Sequence, residues 1–156
     1  MIDLFALPAD QYRRFNAITS QIKMTLGVEE GILQYALCAN DAMTMHLLVS
    51  GRELSSGDIT QITRAMGAAN ALVRPRVQDF YAHCCEKTVT FAEFYQNVRK
   101  SPAFFYLWAQ MDEQKLAKIQ ASYGDNFYKN LDLYEEAFGK EFKQAYEEIL
   151  NAIHGQ

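Results

Sequence analysis

Apolar positions recur every three or four residues along almost the whole chain, a spacing that predicts helices rather than strands. Tyr12, Phe15, Ile18, Ile22 and Leu26 share one face of a first helix. Pro8 suits its first turn, and Gly27 suits a left-handed cap at its end. A second helix is expected over 29–39, and Asn40-Asp41 breaks or re-caps the chain after it. Residues 42–49 fit either a helix or a buried strand. Helix is preferred, because no partner strand is visible.

After a loop over 51–57, Ile59, Ile62 and Met66 predict a short helix closed by Gly67. Ala68–Val73 reads as helical too. Pro75 disfavours helical geometry at Arg74 and suits the opening of a further helix. Thr90 with Glu93 spells a capping box, and Ser101-Pro102 restarts the chain in the same way. Phe104, Trp108 and Met111 form a stripe that Leu116, Ile119 and Tyr123 continue out of phase, so a bend is expected near Asp112.

The longest pattern closes the chain. Phe127, Leu131, Tyr134, Phe138, Phe142, Tyr146, Ile149 and Ile153 step by three or four. Gly139 falls inside it without having to end it, since one interior glycine costs about 1 kcal/mol. No linker rich in Gly, Ser or Pro divides the pattern. The expected architecture is a single all-α domain over 1–156, with short helices closed by a long amphipathic C-terminal helix.

Length and composition agree with that picture. A chain of 156 residues, 49% hydrophobic and 22% charged, suits one globular domain. The net charge is −4. Residues 1–78 hold seven acids and seven bases, and residues 79–156 hold twelve acids and eight bases. This is the wrong sign for broad attraction to phosphate backbones. Three cysteines, two of them adjacent, do not make a disulfide framework and read as reduced thiols of a cytoplasmic protein. The opening MIDLFALPAD lacks a signal peptide's basic and apolar regions. The longest uncharged run, Ser101–Met111, is well short of the roughly 20 residues of a membrane span, so no membrane partner is expected.

Three places carry candidate chemistry. The first is YAHCCEKT, Tyr81–Thr88. On a helix, Val77, Phe80, Tyr81 and Cys84 form the apolar face, while Asp79, His83 and Glu86 share another. The second set would bind a metal only with ligands from a partner helix, and the C-x-x-C spacing of zinc sites is missing. The plainer readings are a surface histidine and a small buried Cys84. Cys85, between the faces, is the candidate reactive thiol, and its exposure decides the matter.

The second place is residues 56–77. Ile59–Val77 contains no acid and carries Arg64, Arg74 and Arg76. With Gly67 as the turn, it suggests a helix-turn-helix that would read DNA. Thr63 stands where a small residue usually lets such helices touch, and Pro75 shortens the reading helix. A plain helix cap at Gly67 is the simpler explanation.

The third is aromatic. Sixteen of the twenty aromatic residues lie at or after Phe80, including FFYLW at 104–108. A turn apolar all round usually belongs to a central core helix. Its alternatives are a subunit interface or a ligand pocket, haem-like by fold analogy alone.

Motifs for phosphate binding, metalloproteolysis and nucleophilic hydrolysis are missing, and no cofactor is expected. The reading that follows is a non-enzymatic adaptor or regulator that binds another protein, or itself. Its surface would be Phe127, Leu131, Tyr134, Phe138, Phe142, Tyr146 and Ile149, with internal packing of the same stripe as the competing explanation. A DNA-binding regulator is the alternative, and a small metal- or haem-like binder comes third.

Overall fold

Every regular element among residues 1–155, the part described by the computed structural model, is helical. These residues fall into two compact units, one from Met1 to Asn70 and one from Ala71 onward.

In the first unit, a 3-10 turn at Leu4–Ala6 precedes α1 (Ala9–Leu26), α2 (Glu30–Ala39) and α3 (Asp41–Ser50), which pack on one another. α1 buries Phe15, Ile18 and Ile22, while Tyr12 and Leu26 at the ends of the same stripe stay exposed. Gly27 closes α1 at φ +66°, as its sequence position predicts. α2 buries Ile32, Leu33 and every residue from Tyr35 to Cys38, so it is the central helix of the unit. The ambiguous segment 42–49 is helix α3. Thr44 is buried there, and its hydroxyl donates to the Leu37 carbonyl near the end of α2.

α4 (Ser56–Cys84) belongs to both units, and its start is tied down by side chains. The Asp58 N–H donates to Ser55 Oγ at 3.1 Å, and the Ser55 N–H donates to Asp58 Oδ2 at 2.9 Å. This is a capping box with Asp as its acid. Arg52 grips the same carboxylate through two guanidinium nitrogens, at 2.7 and 3.1 Å. The Arg52 hydrogen bonds, then the Ser55 N–H, hold the Asp58 carboxyl well below the usual carboxylate range.

The structure corrects the expected breaks at Gly67 and Pro75: α4 runs through both without a turn. Ile62, Met66, Ala69, Val73, Val77, Phe80 and Cys84 are all buried at steps of three or four, so the stripe is unbroken. Each large member contributes about 1.5–3 kcal/mol. Together they outweigh about 1 kcal/mol for the glycine and about 3 kcal/mol for the proline. Gly67, Pro75 and Ala71 are all exposed. The Ala71 carbonyl, four residues before Pro75 and so without its amide donor, lies on a side open to water.

The second unit adds α5 (Phe91–Lys100), α6 (Pro102–Ala109), α7 (Glu113–Tyr123), a 3-10 turn (Gly124–Lys129), α8 (Leu131–Phe138) and α9 (Lys140–His154). The helix starts follow the sequence signals. Thr90 Oγ1 accepts the Glu93 N–H at 3.2 Å, Ser101 Oγ accepts the Phe104 N–H at 3.4 Å, and Asp112 Oδ1 accepts the Gln114 N–H at 3.0 Å. The Asp112 cap is the bend expected there.

The chain does close on an amphipathic helix, α9, but the stripe from 127 to 153 is not one helix. Phe127 sits in the 3-10 turn, and Asn130 caps α8. Gly139, at φ +103° and ψ 165°, separates α8 from α9. The chain folds back there, and α8 packs along α9. A straight helix would spread this stripe over roughly 40 Å. Folded, its rings meet: Phe138 and Phe142 have centroids 4.6 Å apart, and Tyr134 and Tyr146 4.5 Å apart. Lys143 ties α9 to Asp132 at 2.8 Å and Glu135 at 3.5 Å on α8.

The two glycines should therefore respond oppositely to alanine. At Gly67 an added Cβ meets nothing within 4 Å, so Gly67→Ala should stabilise by about 0.5–1 kcal/mol in denaturant unfolding. Gly139→Ala should destabilise by about 1–3 kcal/mol, because its backbone lies in a region that side chains resist. A loss at Gly67 would mean that α4 is broken there. The Asp58 pairing also has a pH signature. Its folded pKa is depressed, so its stabilisation is complete above the ordinary carboxylate pKa and fades as pH falls through the folded value. Asp58→Asn should lower Tm by roughly 2–6 °C near pH 7. The penalty should shrink on acidification below about pH 4, as followed by thermal melts.

Candidate functional site

The end of α4 enters a core made almost entirely of rings. Phe80 lies 4.5 Å from Trp108, 5.3 Å from Phe142 and 5.7 Å from Tyr146, measured between centroids. Phe94, Phe104 and Phe142 complete the shell around Trp108. The FFYLW segment that might have lined a ligand pocket fills the space itself: Phe104, Phe105 and Trp108 are fully buried.

Ending a helix in such surroundings leaves main-chain polar groups without water. Two tyrosines supply the partners. The Tyr134 hydroxyl donates to the Cys84 carbonyl. The Tyr146 hydroxyl accepts the Glu86 N–H at 3.2 Å and donates to Cys85 Sγ at 3.7 Å. Their rings stack at an interplanar angle of 22°. Burial, before any other cause, raises both phenol pKa values, so both hydroxyls keep their protons. A third tyrosine, Tyr81, donates to the Val89 carbonyl at 2.6 Å and secures the loop that follows.

This geometry settles the cysteines. α4 stops at Cys84, and both Cys84 and Cys85 are fully buried. Burial pushes the Cys84 thiol up to about 12 and the Cys85 thiol up to about 11. At neutral pH burial keeps the Cys85 thiol protonated. The reactive-thiol candidate is corrected accordingly: Cys85 is enclosed and protonated.

Asp79, His83 and Glu86 are not brought together. His83 Nδ1 lies 2.8 Å from the Asp79 main-chain carbonyl, one helical turn back. Glu86, beyond the helix end, turns to Thr88 Oγ1 at 2.7 Å and to His154 Nε2 at 3.3 Å. No group of three potential metal ligands occurs among the described residues.

The alternative helix-turn-helix is not formed, because 59–77 lies on one continuous helix. Arg64 is exposed. Arg74 sits 5.7 Å from the centroid of the Phe91 ring, and Arg76 donates to the Ala109 carbonyl at 2.7 Å, capping the end of α6. The candidate interaction stripe is corrected too. Phe127, Tyr134, Phe142, Tyr146 and Ile149 are buried, and Leu131 and Phe138 are half-buried. Folding back at Gly139 turns these residues into the second unit's own core.

Comparison of the chain with protein-family models, curated proteins and solved structures gives no match in any of the three. Any functional reading therefore rests on the residues themselves. No helix among the described residues is long and apolar enough to cross a membrane.

Sequence spacing does not reveal the tyrosine hydroxyls, since it places a Tyr on a face without saying what its tip reaches. The Ser55–Asp58 cap has a local signal, S-x-x-D. Phe5 has no periodic partners to mark it.

Tyr134→Phe and Tyr146→Phe keep the rings and strand a buried carbonyl or N–H. Each should cost about 1–3 kcal/mol in denaturant unfolding. In the native protein both thiols should resist a thiol reagent at neutral pH and react once denaturant unfolds the chain. Rapid native labelling of Cys85 would contradict its enclosure.

Proposed function

We propose that this protein acts by binding another protein, and that the contact lies on the first unit rather than on the carboxy-terminal stripe. The observation that carries this reading is Phe5. Its side chain is 97% exposed, yet it sits on an ordered turn. Asp3 Oδ1 accepts the Phe5 N–H at 3.0 Å, and the Ala6 N–H closes the turn onto the Asp3 carbonyl at 3.1 Å. The Ile2 N–H pins the segment to the Cys38 carbonyl at 2.9 Å.

A phenyl ring held in water on a fixed backbone forgoes about 1.5–3 kcal/mol of burial. It is also pre-organised, which lowers the entropic cost of docking into an apolar pocket on a partner. Among the described residues, six of the eight large hydrophobic side chains that stay exposed belong to this unit, with Met24 at 88% and Val49 at 67%. Such exposure favours association over isolation. The enclosure of Cys85, the one nucleophile candidate, supports a binding role over a catalytic one.

The test is native mass spectrometry of the protein isolated from its own cells, as wild type and as Phe5→Ala. A protein partner should accompany the wild type and be lost or weakened at least ~10-fold in the variant, the scale of burying one such ring. The melting temperature should stay within about 2 °C, because the side chain supports nothing in the fold. A wild type that brings no partner, or a variant that keeps it undiminished, would overturn the reading.

A further inference from the structure

α5 shows water a face of four polar residues: Glu93, Gln96, Asn97 and Lys100. Two shallow grooves of about 320 and 280 Å³ run beside it. Both are lined by Asn97 and Lys100, and α9 forms their far walls with Glu148, Ile149, Ala152 and Ile153. Among the described residues, neither Glu93 nor Lys100 takes part in an ion pair. The Asn97 side-chain amide donates to the Glu93 main-chain carbonyl at 2.8 Å.

This face is complementary to its own reverse. Its midpoint falls between Gln96 and Asn97, with the acid and the base equally far to either side. Laid antiparallel on a second α5 about a two-fold axis through that midpoint, Glu93 meets the second copy's Lys100, and Lys100 meets its Glu93. Gln96 meets the second copy's Asn97, amide against amide. A two-fold interface requires this self-complementarity, because each contact occurs twice.

We infer that α5 is a self-association face, on which two copies of this chain pair antiparallel through reciprocal Glu93–Lys100 ion pairs. Ala152 and the half-exposed Ile153 of α9 supply its apolar margin. The helix is ten residues and so about 15 Å long. Standard stable interfaces bury about 800 Å² per partner, and this face is smaller. The dimer is therefore weak and reversible, and added salt loosens it. The second unit carries this face and Phe5 lies in the first, so either proposal can fail alone.

Charge reversal tests the pairing directly. In Glu93→Lys, two lysines of one copy face two of the other; in Lys100→Glu, acids face acids. Each variant should dimerise at least ~10-fold more weakly than wild type in analytical ultracentrifugation at protein concentrations up to about 1 mM. Mixed in equal amounts, the two variants present lysines to glutamates at both positions, so a heterodimer should form within ~3-fold of the wild-type affinity. This mixture also shows that both variants are folded. A wild type monomeric throughout, single reversals without effect, or a mixture that does not associate would each overturn the inference.

Discussion

The second unit depends on how one helix ends. α4 stops inside a shell of rings, and the Cys84 carbonyl and the Glu86 N–H must find partners there. Tyrosine alone among the ring-bearing residues of this core offers an oxygen that both donates and accepts. Tyr134 and Tyr146 answer from two different helices, so α8 and α9 must arrive side by side. The fold-back at Gly139 follows from that demand. So does the stacking of the two phenols, which brings their hydroxyls to neighbouring main-chain groups.

Most helices and their starts were legible in the sequence, because caps and periodicity are local. Thr90, Ser101, Asp112 and Gly27 behave as their positions suggest. At Gly67, Pro75 and Gly139 the structure departs from the local signals, and for one reason. A glycine or proline is a cost of a few kcal/mol at most, and tertiary burial decides whether the chain accepts it. At Gly67 and Pro75 the costs fall on the exposed side and the buried stripe continues unbroken. At Gly139 the stripe buries more by folding onto itself than by running straight. Nothing local separates these cases.

The candidate chemistry was legible only as a warning. HCCE collects reactive side chain types, and a helix already separates His83 from Cys84 by direction. The fate of Cys85 depended on burial by residues far along the chain, among them Tyr146, sixty-one residues away, whose hydroxyl reaches its sulfur. The aromatic stripe posed the complementary problem. Its spacing shows that one face is buried and leaves open which surface buries it. The structure uses those rings internally, which is why both proposed contacts are sought elsewhere, at Phe5 and on the polar face of α5.

The two tyrosines hold peptide groups, and only one of them also touches a thiol. What the fold reads at position 84 is therefore main chain plus volume, and at position 85 a sulfur acceptor as well as volume. At 84 the sulfur takes no part in the tyrosine bond, so another small apolar residue would meet the same Tyr134 hydroxyl. At 85 the sulfur accepts the Tyr146 proton, so the conspicuous cysteine pair is, in structural terms, one filling and one fitting.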